Sequence, residues 1–94
     1  MFVLLLSYTK PREVEALVPD HRAWLREHHA AGRFLVSGQR VPIEAGGAIL
    51  ARGDDRDEVE AIAASDPFVR GGVAEYEVVQ FRASQMAPGF DAFV

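Results

Sequence analysis

The chain opens on an apolar run, Phe2-Val3-Leu4-Leu5-Leu6-Ser7-Tyr8, closed by Thr9-Lys10-Pro11. A short run of this kind bounded by a breaker predicts a strand buried on both faces. The period then changes. Pro11 opens a helical stretch whose apolar positions are Val14, Leu17 and Val18, and Pro19 predicts a kink or break near Val18. The pattern resumes at Asp20 and runs to Ala31, where Gly32 supplies a stop. Arg33 to Gly38 reads as a second strand. Gln39 to Gly47, with Pro42, Gly46 and Gly47, reads as a loop or hairpin connection, and Ala48 to Ala51 as a short third strand. Gly53-Asp54-Asp55 marks a turn and a helix start with Asp55 or Asp57 as its cap. That helix runs to about Ser65, where Asp66-Pro67 stops it. After Gly71-Gly72, Val73 to Phe81 is the fourth strand. Ala83 to Val94 carries Phe90 and Phe93 beside Pro88 and Gly89 and reads as a tail that packs against something.

The order is β, α, β, β, α, β. It predicts one α+β domain over residues 1–94, with its core at about 2–82 and a tail at 83–94. The expected fold is ferredoxin-like: a four-stranded antiparallel sheet with two helices on one face. The other face should then alternate to polar residues, and it does not. Phe2, Leu4 and Leu6 oppose Val3 and Leu5 on the first strand, and strands two and three also lack a clean polar face. This pattern predicts a homodimer joined through the open sheet face.

Placing the helices at about 100° per residue gives the first chemical signal. His21 falls at the centre of the first helix's apolar stripe, with Trp24, Leu25 and His28 beside it and His29 at the edge, nearer solvent. On the second helix Val59, Ile62 and Ala63 form the stripe, and Asp66 continues it at the i+7 position. A polar group on a buried face is costly unless paired. A His and an Asp on two helices that cover one sheet face are therefore expected to pair. A carboxylate bonded to one imidazole nitrogen fixes the tautomer and leaves the other nitrogen for general acid–base work. The same residues admit a structural reading: a core histidine bonded to a backbone carbonyl, and an ordinary capping aspartate. Trp24 is likewise open to two readings, core residue or substrate platform. Ser37 is the nearest candidate nucleophile, but no Gly-x-Ser-x-Gly elbow surrounds it, so proton transfer is favoured over acyl chemistry.

Composition narrows the function classes. Hydrophobic residues make up 49% of the chain and charged residues 26%, which argues against disorder. Fourteen acidic against ten basic residues give a net charge of −4 with no dense basic cluster, so no nucleic-acid partner is expected. There is no cysteine, which removes disulfides, thiolate catalysis and Cys-based zinc sites. His28-His29 lacks a convergent carboxylate or cysteine pattern, so no metal is expected. Asp54-Asp55-Arg56-Asp57-Glu58 lacks the glycine and glutamate spacing of a calcium loop. The first apolar run is too short for a signal segment or a membrane span, so no membrane is expected and the protein is expected in the cytoplasm.

Three stretches carry a resemblance: Asp20-His21-Arg22-Ala23-Trp24-Leu25, then Gly32-Arg33-Phe34-Leu35-Val36-Ser37-Gly38, then Ser65-Asp66-Pro67-Phe68-Val69-Arg70-Gly71-Gly72-Val73. With the order of elements, they make the chain similar to the YCII-related (YciI-like) proteins from Phe2 to about Phe81. The resemblance implies a ferredoxin-like fold that pairs into a dimeric α+β barrel. It also implies an active-site dyad at His21 and Asp66, no cofactor, and lyase- or isomerase-like chemistry on an unidentified small molecule. Trp24, Ser37 and Phe68 are the expected substrate-binding residues. Two departures stand out: Ser37-Gly38-Gln39 where the family often has Ser-Gly-Pro or Ala-Gly-Pro, and Gly71-Gly72 where it often has Ala-Gly. Gln39 is thereby expected to reshape the pocket rim. The competing expectations are a non-catalytic small-molecule binding module, a structural interaction module, and, on the same barrel type, a cofactorless monooxygenase or a haem-degrading protein, of which haem, with His28 or His29 as ligand, is disfavoured.

Overall fold

Where the first helix begins is decided by two prolines. The computed structural model describes residues Met1–Val94. After strand β1 (Phe2–Tyr8), Pro11 heads a single 3₁₀ turn, Pro11–Glu13, and a second such turn follows at Glu15–Leu17. Helix α1 then runs Val18–Ala30 with Pro19 in its first turn. The expected kink near Val18 is therefore a helix start. A proline there gives up an N–H that the first turn could not use. The helix ends in a Schellman arrangement. Gly32, at φ +77°, donates its N–H to the His29 carbonyl at 3.0 Å, and Arg33 donates to the His28 carbonyl at 3.0 Å.

Strands β2 (Phe34–Gln39) and β3 (Gly47–Ala51) follow, then helix α2 (Arg56–Ala64). Asp55 caps α2 by accepting from the Glu58 N–H at 3.2 Å. The chain does not pass straight from α2 to the last strand. A one-turn helix, α3 (Pro67–Arg70), intervenes before β4 (Ala74–Gln80). Asp66 thus lies beyond α2, as the N-cap of α3, and not on a continuation of α2's stripe.

The sheet order is β2-β3-β1-β4 with every pair antiparallel. The result is a ferredoxin-like α+β fold. Phe2, Leu4, Phe34, Ile49 and Ala51 on the covered face pack with Trp24 of α1 and Val59 of α2. A second cluster, Leu6, Val73 and Ala74 with Phe68 of α3, lies towards the far end of β1. The open face carries a row of aligned apolar residues: Val79 opposite Val3, Val3 opposite Leu50, and Leu50 opposite Val36. No helix is long and apolar enough to cross a membrane.

One irregularity in β2 redirects side chains. Phe34 pairs with Ala51, but Val36 pairs with Leu50, so Leu35 is an extra residue in the strand. Side chains alternate with a period of two, so a bulge reverses the facing of everything after it. Phe34 points to the helices, Val36 points out, and Ser37, paired with buried Ile49, points back towards the helices.

The buried imidazole of His28 ties the end of α1 to the start of β2. Its Nδ1 accepts from Arg33 Nε at 2.8 Å, so this nitrogen must stay unprotonated. Burial first, and the Arg33 charge second, hold the group below its ordinary value of 6.5. The unfolded chain therefore takes up a proton that the folded chain resists. The His28 contribution is complete above pH 6.5 and falls away as the pH drops below it. Urea midpoints should decline from pH 7 to 5.5. A His28→Gln variant, whose side-chain carbonyl also accepts from Arg33, should decline less. Parallel declines would contradict the assignment.

Candidate active site

Asp66 is the anchor of the site. Its position between Ser65 and Pro67 breaks the helical run, and the break turns the carboxylate inward to zero exposure. A buried carboxylate needs donors. Asp66 Oδ1 accepts the Phe68 N–H at 2.9 Å and the His21 Nδ1–H at 2.8 Å, and Oδ2 accepts the Tyr76 hydroxyl at 2.6 Å. The cap and the histidine partner are one group, so the two readings open at the level of sequence describe the same side chain.

His21 lies in the first turns of α1, and its side chain is 13% exposed. Its ring stacks on Phe68, with centroids 4.0 Å apart and planes 11° apart. Asp66 and Phe68 thus fix both the rotation and the tilt of the imidazole. With Nδ1–H given to a carboxylate, Nε2 is the nitrogen that remains. The ring lines a cavity of about 400 Å³, walled by Leu6, Tyr8, Leu25, Ser37, Ile49, Phe68 and Tyr76 among others. Exposed Arg22 is the one wall residue of fixed charge. Gly38 and Gln39 also reach this cavity.

Tyr76 did not stand out in the sequence. Its signal is the alternation of β4, where Glu75 and Glu77 face out and Ala74, Tyr76 and Val78 face in. An inward tyrosine hydroxyl needs a partner, and here the partner is Asp66. Burial, then the Asp66 charge and hydrogen bond, push the phenol far above its ordinary value of 10, so it stays a donor.

The remaining candidates separate. Trp24 is a core residue. Its indole N–H donates to Ser65 Oγ at 2.9 Å, and it does not line the cavity. Ser37 and Phe68 do line it. His28 is held by Arg33. His29, expected near solvent, is half-buried with both ring nitrogens engaged: Nδ1 on the Phe34 carbonyl at 3.0 Å and Nε2 on Ser37 Oγ at 2.8 Å. The two adjacent histidines thus serve different partners. A larger, open depression of about 890 Å³ lies at the other end of the sheet, between Met1, Arg52–Asp54, Gln80–Ala83 and Val94, and contains no histidine.

No curated protein matches the chain. Among solved structures, its fold is similar to that of 5-chloro-2-hydroxyhydroquinone dehydrochlorinase from Burkholderia phenoliruptrix AC1100, determined in complex with 2,5-dihydroxybenzoquinone. The TM-score is 0.64 at 17% identity, over 89% of this chain and 96% of that one. The family model of the YCII-related domain matches residues 1–82, which include every element from β1 to β4 together with His21 and Asp66. On that match, the chain belongs to the YCII-related domain family.

Proposed function

We propose that this chain is a cofactor-independent enzyme that moves a proton on a small organic molecule, with lyase- or isomerase-like chemistry. In this reading His21 is the general base or acid, and Asp66 orients it. The observation that carries the reading is the division of the His21 ring: one nitrogen is tied to a fully buried carboxylate, while the ring still lines a cavity. General acid–base catalysis needs a proton acceptor of fixed geometry within reach of substrate. The cavity falls in the range of roughly 300–1,000 Å³ used by small-molecule sites, and its aromatic walls suit a planar ligand.

The dehydrochlorinase of similar fold supports the same class of reaction. Loss of hydrogen chloride from carbon begins or ends with removal of a proton, the step assigned here to His21. Substituted hydroquinones, including 5-chloro-2-hydroxyhydroquinone, are the first compounds to test in deuterated buffer. The expected result is chloride release or deuterium incorporation, lowered in folded His21→Gln by about 10²–10⁴-fold, the usual worth of a positioned acid or base. Saturable binding without turnover, unchanged by His21→Gln, would identify a binding module instead.

The functional unit in this reading is a homodimer joined through the open sheet face. Its support is the row Val79, Val3, Leu50 and Val36, in which Val36 is 59% exposed. Aligned apolar residues of this kind on an open face favour burial against another sheet. Sedimentation at micromolar concentration should give a dimer, and a stable monomer would count against it.

A further inference from the structure

Ser37 and His29 form a second polar pair at the cavity, separate from the Asp66 network. The direction of its hydrogen bonds follows from elementary constraints. A backbone carbonyl only accepts, so His29 Nδ1, 3.0 Å from the Phe34 oxygen, carries the proton. In the neutral ring Nε2 is then an acceptor, and Ser37 Oγ at 2.8 Å donates to it. The serine hydrogen therefore points away from the cavity that Ser37 lines, and the free lone pairs of Oγ remain for a ligand. The β2 bulge is what turns Ser37 to this side.

We infer that Ser37 receives a ligand hydroxyl and that His29, acting through Ser37, takes up the proton, so that the cavity suits a planar molecule bearing an acidic hydroxyl such as a phenol or enol. The inference rests on the small-molecule reading above and adds the residues that receive the ligand's hydroxyl and its proton. As the ligand O–H bond breaks, its proton passes to Ser37 Oγ and the serine's own proton passes to His29 Nε2. The electron pair stays on the ligand oxygen. The products are an oxyanion and an imidazolium whose Nδ1–H still rests on the Phe34 carbonyl. Exposed Arg22 adds positive charge to the same wall and favours the anion. The other groups facing the cavity that carry titratable protons are His21, Tyr8 and Tyr76. Tyr76 keeps its proton and already donates its hydroxyl hydrogen bond to Asp66. Proton removal at carbon by His21 and at oxygen by the serine–histidine pair would then act on one molecule from two sides.

The test uses 4-nitrophenol, whose phenolate absorbs visible light, with the intact protein. Bound 4-nitrophenol should ionise at a lower pH than the free compound, by about one pH unit or tenfold in its ionisation constant. Ser37→Ala should abolish the shift and Ser37→Thr restore it. His29→Gln, which can accept the serine hydrogen but not a transferable proton, should keep binding and lose the shift. 4-Nitroanisole, with no hydroxyl, should bind equally to wild type and Ser37→Ala. Absence of saturable 4-nitrophenol binding, or an ionisation shift unchanged in Ser37→Ala, overturns the inference. If Ser37→Ala does not fold, nitrogen NMR of the wild-type histidines decides: a His29 ring protonated at Nε2 in its neutral form overturns it too. Deuterium incorporation dependent on His21 is a separate readout, so either reading can fail while the other stands.

Discussion

Asp66→Ala will destabilise the folded chain by about 3–5 kcal/mol, the range found when one partner of a buried pair is removed. The carboxylate has no exposure and holds three donors on three elements: His21 on α1, the Phe68 N–H in α3 and the Tyr76 hydroxyl on β4. Alanine accepts from none of them. The Tyr76 hydroxyl is left inside without a partner, and the α3 cap is lost. Roughly 4–8 °C of melting temperature per kcal/mol makes this a drop of tens of degrees for a domain of this size. A melting temperature within a few degrees of wild type would mean that solvent replaces the carboxylate, and that the site is more open than its burial implies.

The isosteric change separates orientation from stability. In Asp66→Asn the amide nitrogen can only donate, and it has two places: in place of Oδ2 it meets the Tyr76 hydroxyl, and in place of Oδ1 it faces His21 and gives up the cap on the Phe68 N–H. In the first arrangement the tautomer of His21 is kept and only the negative charge behind the ring is lost; in the second, Nδ1 must become the acceptor and the neutral ring carries its proton on Nε2. A histidine in that tautomer cannot accept a proton at the cavity. A comparable swap in a histidine–aspartate pair lowers turnover by about 10⁴-fold with the geometry intact. Asp66→Asn should therefore lose turnover in either arrangement, and as severely as His21→Gln where the tautomer changes, while destabilising the fold less than Asp66→Ala. Nitrogen NMR of His21 shows whether the tautomer has changed, independently of any substrate.

Much of this arrangement is legible in the chain because it depends on local patterns. The six principal elements follow from apolar runs and from the breakers at Pro11, Gly32, Gly53, Asp66-Pro67 and Gly71-Gly72. His21 is visible as a polar residue at the centre of an apolar stripe. Asp66 is visible for a related but different reason. The stripe of α2 points towards it, yet its inward direction comes from the chain break and the cap of α3. Pro19 is ambiguous alone, since proline both breaks helices and starts them. Together with Pro11, which heads its own 3₁₀ turn ahead of α1, it marks the start.

The rest depends on register and on contacts distant in sequence. Nothing local announces the extra residue at Leu35, so strict alternation from Phe34 would send Ser37 to the open face. The His29–Ser37 pair exists only because the bulge reverses that direction. Tyr76 meets Asp66 because β4 lies at the sheet edge beside β1, with α3 packed over it. Trp24 occupies the same stripe as His21, but one turn further along it meets core residues and Ser65 in place of the cavity.

Gly46→Ala should be the most damaging single-methyl change in the chain. Gly46 is buried at φ +114° and ψ −141°, a backbone conformation closed to residues with a side chain. A Cβ there would overlap the Leu6 carbonyl oxygen and lie 2.8 Å from the Leu6 carbonyl carbon. Both obstacles are backbone, and Leu6 is fixed by pairing with Gly47 on one side and Tyr76 on the other. Neither can rotate away as a side chain would. The φ penalty alone is of order 1–3 kcal/mol, and displacing β1 from β3 adds to it, so a total above about 3 kcal/mol is expected. Gly38→Ala is the control. Nothing lies within 4 Å of its Cβ position and its φ is not positive, so its melting temperature should stay near wild type. Leu6 and Gly47 both line the cavity, so a Gly46→Ala protein that does fold should also bind its ligand more weakly. If Gly46→Ala melts with Gly38→Ala, the close approach of the β2–β3 connection to β1 is wrong, and with it the shape of the cavity wall.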